Sequence, residues 1–268
     1  MMVLTAIFLA GFILVESRIR DPLVNLNMFR RRNLSAGSLV NLFVGFCLVI
    51  GLVSVPILVN VRQEDASRLT EAALQVGLLL STLTVPMALA AVPGGWLSDR
   101  IGYRRTTILG LGLAIIGFLT VWQTWNIEID NAVIGVQMAV IGVGLGLTFS
   151  PISAAVINAA TEAERGVASA LVIILRLIGM TVSVSALTTI SLQRVNILAA
   201  GQLGGQTVDP MQAVEVYANV TVQVLAELGL IGALVCGIAL IPSLLLHRDE
   251  MSATERESDK LSSPVTGD

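Results

Sequence analysis

The sequence predicts an all-α integral membrane protein, a six-helix bundle preceded by part of another helix. Three observations predict it. The first is composition: of 268 residues, 54% are hydrophobic and only 13% charged, with mean hydropathy +0.83. Soluble domains carry roughly twice that share of charge. The second is a set of uncharged runs, at 33–61, 72–98, 106–127 and 131–161, each longer than the ~20 residues that cross a bilayer as a helix. Backbone groups in lipid must be satisfied internally, so such runs are helices and not open sheet. The alternation of a membrane barrel is absent. The third is that the arginines gather in alternate connectors.

Taken in order, residues 1–15 are apolar but short for a span. They have no basic segment before them and no small-residue cleavage site after. They read as the end of a helix, a partial span that predicts upstream sequence. Residues 16–32 form a charged connector carrying Arg18, Arg20, Arg30, Arg31 and Arg32. A bundle at 33–247 follows. Its first span, 33–60, has Asn41 near its start and Pro56 near its end. A polar turn at 61–71 leads to the second span, 72–97, which contains Pro86 and Pro93-Gly94-Gly95. Membrane helices tolerate such prolines because neighbours re-satisfy the freed carbonyls. A tight charged turn over 95–107 then leads to a span ending at Trp125, whose Gly110, Gly112 and Gly117 suit close helix contact. After a turn at 126–131, the span 132–159 carries Gly142, Gly144 and Gly146. This run lies within a span, not after a strand, so it reads as helix packing and not as a dinucleotide loop. A turn at 161–166 precedes the span 167–192, which contains Arg176. A polar connector, 193–209, ends at Asp209-Pro210, a good helix start. The last span falls within 216–246 and includes Glu227 near its outer end. Residues 248–268 form a polar tail expected to be disordered and cytoplasmic.

Charge orients the chain. Alternating spans put Arg18, Arg20, Arg30, Arg31, Arg32, Arg100, Arg104, Arg105, Arg165, Arg248, Arg256 and Lys260 on one side. Arg62, Arg68 and Arg194 fall on the other. Positively charged connectors stay inside, so the first side is expected to be cytoplasmic and to hold the C-terminus of a multi-pass protein of the cell membrane.

The segment Gly95-Trp96-Leu97-Ser98-Asp99-Arg100-Ile101-Gly102-Tyr103-Arg104-Arg105 has the pattern Gly-x-x-x-Asp-Arg-x-Gly-x-Arg-Arg. It resembles the signature loop of the major facilitator superfamily of transporters. The piece from Arg20-Asp21-Pro22 to Arg30 resembles the connector before the last six helices of fourteen-helix drug:proton antiporters. The stretch 165–170 with Arg176 and Gly179 resembles a helix of the same antiporters. The resemblance runs from about Arg20 to Leu246 and implies the C-terminal half of that fold. Two six-helix halves then enclose a solute path near the midplane and rock against each other. By the same resemblance Asp99 and Arg100 make the charge interaction that breaks when the inner gate opens. Gly95 and Gly102 allow the helices to approach, and Arg104 and Arg105 complete the loop.

Three residues within spans are candidates for a solute path. Arg176 bears a charge at mid-membrane, which costs ~2.5–3.5 kcal/mol on insertion scales, so it must face protein or water. It either binds an anionic group or a paired carboxylate in a cavity, or pins two helices. Ser169, Arg176 and Ser183 recur every seven residues and share nearly one face. Gln137 and Asn41 line the path or act as interhelical hydrogen-bond glue.

Other chemistries find no support. His247 is the only histidine, so no histidine metal cluster or serine triad is expected. Cys47 and Cys236 read as small buried residues, not as a disulfide or a metal pair. No phosphate-cradling Gly-x-x-x-x-Gly-Lys loop exists. One lysine, Lys260, and no basic aromatic face argue against nucleic acid. It also lies in the tail, where no retinal would be held. No cofactor and no enzymatic activity are expected. The expected partners are the lipid bilayer, a small-molecule substrate, and a missing N-terminal half or a second copy. The function expected is secondary, proton-coupled export of drugs or other small molecules. The alternative is a non-transporting assembly partner or an inactive fragment.

Overall fold

A computed structural model of the chain describes residues 26–63, 69–203 and 210–247. The expected partial helix at 1–15, most of the connector, Asp209 and the tail at 248–268 lie outside the described residues. Six helices account for nearly all of the rest: α1 (Arg32–Val61), α2 (Leu69–Ile101), α3 (Tyr103–Thr124), α4 (Asn131–Asn158), α5 (Arg165–Leu203) and α6 (Pro210–Ser243). All six are long and apolar enough to cross a membrane, and no strand occurs among the described residues. Short 3-10 turns, Leu26–Arg30 and Glu162–Glu164, precede α1 and α5.

Local chemistry sets the ends. The Asp130 carboxylate accepts from the Ala132 N–H at 3.2 Å and starts α4. Thr161 and Glu164 form a capping box ahead of α5. Pro56, Pro86, Pro93, Pro151 and Pro242 all lie inside helices.

Two expected boundaries are corrected. α2 continues to Ile101, so the charged segment is not a turn. Only Gly102 separates α2 from α3, at φ 91°, a left-handed conformation that glycine adopts without strain. α5 runs on into the expected polar connector as far as Leu203. At ~1.5 Å per residue α5 is roughly 58 Å long, well beyond the ~30 Å hydrocarbon layer. Polarity marks where lipid ends, not where a helix must.

Glycines set the packing. A Cβ on Gly142 or Gly146 would run into the backbone of Leu83 or Met87 in α2, and one on Gly94 would meet Leu147 of α4. α1 and α5 repeat the device: Gly45 lies against the Arg176 backbone and Gly179 against that of Leu42. Gly110 and Gly117 seat α3 on α4, whereas Gly112 faces open space, contrary to expectation. Cys47 and Cys236 are free and fully buried, with their sulfurs 3.2 Å apart between α1 and α6.

α2 packs chiefly on α4, and α5 chiefly on α1. These two helices are the least covered. Only 17% and 22% of the residues in their most apolar stretches are buried, against 44–61% in the other four.

The two ends of the bundle are tied differently. At the arginine-rich end the Asn33 amide donates to the His247 carbonyl at 2.9 Å and accepts from the His247 N–H at 2.8 Å. Arg31 pairs with Glu164 at 3.3 Å there. At the opposite end Arg62 donates to the carbonyls of Asn126 and Ile129, and burial lowers its pKa from the ordinary value.

Candidate functional site: a mid-depth arginine and a charged hinge

Asn41 of α1 and Arg176 of α5, named separately from the sequence, are brought together. The Arg176 Nε–H donates to the Asn41 side-chain oxygen at 3.1 Å. The Asn41 amide in turn donates to the Val172 carbonyl, one turn back on α5. The guanidinium also lies 4.0 Å over the Phe149 ring of α4, a favourable cation–π arrangement. One arginine thus touches three helices. It lies roughly 14–17 Å along the helices from the arginine-rich end, about half the hydrocarbon thickness. Its side chain is only partly buried, so the remaining guanidinium N–H groups can reach an anionic group.

The face predicted around Arg176 is partly realised. The Ser183 hydroxyl donates to the Phe46 carbonyl of α1 at 2.9 Å. Ser169 instead bonds within its own helix, to Gly166. Thr181, Ser185 and Thr188 are exposed on a different face of α5, about 120–180° around the helix from Arg176. Phe149 was not legible in the sequence, because nothing marks an aromatic residue of one span as the platform for an arginine of another.

The charged hinge is built on close approach. Gly95 is packed so that a Cβ would come within 3.0 Å of the Ser150 hydroxyl of α4. The Ser98 hydroxyl is held by the Gly95 carbonyl at 2.7 Å, and the Gly102 N–H caps back to the Ser98 carbonyl at 2.9 Å. Asp99, Arg100, Arg104 and Arg105 are all exposed at this end. Arg100 stacks 3.8 Å over the Trp96 ring. Glycines therefore anchor the hinge and its charges point out of the bundle.

Gln137 is not near Arg176. It lies at the opposite end, accepting from the Trp125 indole N–H at 2.9 Å and donating to the Thr124 hydroxyl at 2.7 Å. These are interhelical hydrogen bonds, between the end of α3 and α4. Gln137→Leu would leave one buried polar group unpaired, the Trp125 indole N–H, while the exposed Thr124 hydroxyl keeps its bond to the Thr120 carbonyl. It is expected to destabilise the chain by about 1–3 kcal/mol, read as a lower unfolding midpoint in detergent.

The family model of the Major Facilitator Superfamily matches residues 2–184, more than half of the chain. The chain belongs to the major facilitator superfamily. It is similar to a triacylglyceride transporter of Mycolicibacterium smegmatis, 30% identical over 221 residues, covering 75% of this chain and 39% of that protein. A triacylglyceride transporter of Mycobacteroides abscessus is 32% identical over 191 residues, 67% of this chain and 35% of the relative. One of Mycobacterium tuberculosis is 31% identical over 169 residues, 59% and 31%. The chain thus matches well under half the length of these relatives.

Major facilitator halves nest two inverted triplets of helices, and the packing here repeats on that plan. Advancing each helix by three exchanges the α2–α4 contact for α5–α1, and α3–α4 for α6–α1. The glycine seams at Gly142 with Gly146, and at Gly45 with Gly179, fall at the first of these equivalent contacts.

Proposed function

We propose that this chain is one six-helix half of a secondary transporter for a lipophilic solute. In this reading α2 and α5 face a second bundle, and Arg176 stands at the midplane of the path. The observation that carries the reading is Arg176: a charge at half depth, partly exposed on a poorly covered helix, with guanidinium N–H groups beyond the one that bonds Asn41. A lipid-facing surface would not favour a charge there. The exposed face of α2 is apolar, with Leu74, Leu78, Val85, Leu89, Val92 and Trp96. An apolar groove of about 710 Å³ lies between α2 and α4. Apolar walls with one mid-depth cation suit an amphiphile or acylglycerol, the class named in the relatives, as well as the lipophilic drugs that the antiporter resemblance suggests.

The arginine-rich end is the cytoplasmic one by the distribution of positive charge. The hinge at Asp99 to Arg105 then lies at the inner gate, with its charges directed toward the second bundle. Proton coupling would draw on carboxylates of that bundle. The carboxylates among the described residues, such as Glu71, Asp99, Glu215 and Glu227, sit toward helix ends or in an ion pair.

The test is a vesicle assay with the chain alone and with the N-terminal six helices of a relative supplied in trans. A fluorescent acylglycerol and a cationic dye serve as solutes under an imposed pH gradient. Transport is expected only with the second half present, and collapse of the gradient by an uncoupler is expected to stop it. Failure of either solute to move, despite co-purification of the two halves, would overturn the reading. Full transport by the chain alone, with crosslinking between copies, would assign the second bundle to another copy of this chain.

A further inference from the structure

At the end away from the arginine-rich hinge, a cavity of about 510 Å³ opens between the end of α3, the turn that follows it, and α6. Trp122, Trp125, Glu128, Asn219, Gln223 and Glu227 contribute to its wall. The volume falls within the range of small-ligand pockets, and nothing in the transport reading uses it. We propose that this cavity binds an alkylammonium group, carried by an ethanolamine lipid headgroup or by a soluble amphiphilic amine.

Charge selects the sign. No lysine or arginine lines the cavity. The nearby Arg194 is held by Glu227 through two contacts, at 2.9 and 2.7 Å, so that pair is neutral. Glu128 is exposed and its carboxylate makes no ion pair among the described residues. Arg62 bonds the Asn126 and Ile129 carbonyls of the same turn, and the adjoining Asp130 offsets its charge. The neighbourhood therefore carries one net negative charge, beside two indole rings, the aromatic side chains that attract a ligand cation best.

The wall is also fixed in advance. Gln137 takes the Trp125 indole N–H and is itself tied to Thr124, so Trp125 cannot swing away without breaking a buried hydrogen bond. The Asn126 side-chain oxygen accepts from the Glu128 N–H at 3.0 Å and holds the turn that presents the carboxylate. Trp122 remains 42% exposed, and tryptophan at a span end belongs to the headgroup level. The exposed amides of Asn219 and Gln223 can receive the ammonium N–H groups or the ester oxygens beside them.

The experiment uses the full chain in phosphatidylglycerol nanodiscs with Trp96→Phe, so that emission reports Trp122 and Trp125 alone. Brominated-chain phosphatidylethanolamine is expected to quench these residues at about a threefold lower mole fraction than brominated phosphatidylglycerol, and Glu128→Gln is expected to erase the difference. Free hexyltrimethylammonium, compared with hexyl sulfate, forms the second arm. Lipid preference lost in Glu128→Gln assigns the site to a headgroup. No lipid preference, but a saturable response to hexyltrimethylammonium that Glu128→Gln abolishes, assigns it to a soluble amine. Absence of both responses in a chain whose helical content is intact overturns the proposal.

Discussion

Gly142→Val is expected to prevent the bundle from assembling. The new side chain would have to occupy the space of the Leu83 backbone in α2, and a helix backbone cannot yield as the tip of a side chain can. Overpacking ordinarily costs about 1–3 kcal/mol; here the helices must separate, so a loss at or above the top of that range is expected. In detergent the variant should lose its cooperative thermal transition, and Gly179→Val, against Leu42 in the equivalent seam, should do the same. Gly77→Ala, Gly112→Ala and Gly237→Ala supply the control, because a Cβ at each meets nothing within 4 Å. These three should be neutral or stabilising by up to about 1 kcal/mol, since alanine is the better helix former. Equal behaviour of the two groups would mean that the seams are not the tight contacts described.

In the vesicle assay with the second half supplied, Arg176→Leu is expected to lower transport by at least about tenfold, in a chain that still folds. Removing the charge relieves an insertion cost of ~2.5–3.5 kcal/mol. Against this stands the loss of the Asn41 bond and of the stack on Phe149, so stability should change little. Arg176→Lys should give intermediate transport. It keeps the charge but cannot both bond Asn41 sideways and lie flat on the ring. The outcome separates the two roles that the residue could have. If Arg176→Leu transports normally once Asn41→Leu has also removed the orphaned amide, the arginine is only a pin between α1, α4 and α5. If transport stays lost in that well-folded double variant, the guanidinium acts on the solute or on the second bundle.

Much of this was legible from the residues in sequence. Uncharged runs longer than a bilayer have one stable solution, and the first four helices fall where those runs lie, while the last two follow apolar stretches that carry a few charges. The charged segment between the second and third spans pointed to the family that the match over residues 2–184 then established. The helix ends were less legible. Arginines and glycines at 95–105 look like a turn, yet Gly94 and Gly95 are there to lie against Leu147 and Ser150, and the helix passes through them. Polar residues after Leu192 look like a loop, yet Arg194 reaches Glu227 of α6 and the helix continues.

The sequence by itself determined that the chain is a bundle of membrane helices, which end of it carries the arginines, and that Arg176 must find a protein or aqueous neighbour. These follow from the cost of moving charge and bare backbone into hydrocarbon, a cost that each segment meets alone. Only the tertiary structure decided which neighbours were found. Arg176 meets Asn41 and Phe149, Gln137 meets Trp125, and Cys47 meets Cys236, because the glycine seams fix the register of one helix against the next. Those contacts join residues more than a hundred positions apart, or across a turn, and no spacing along the chain encodes them.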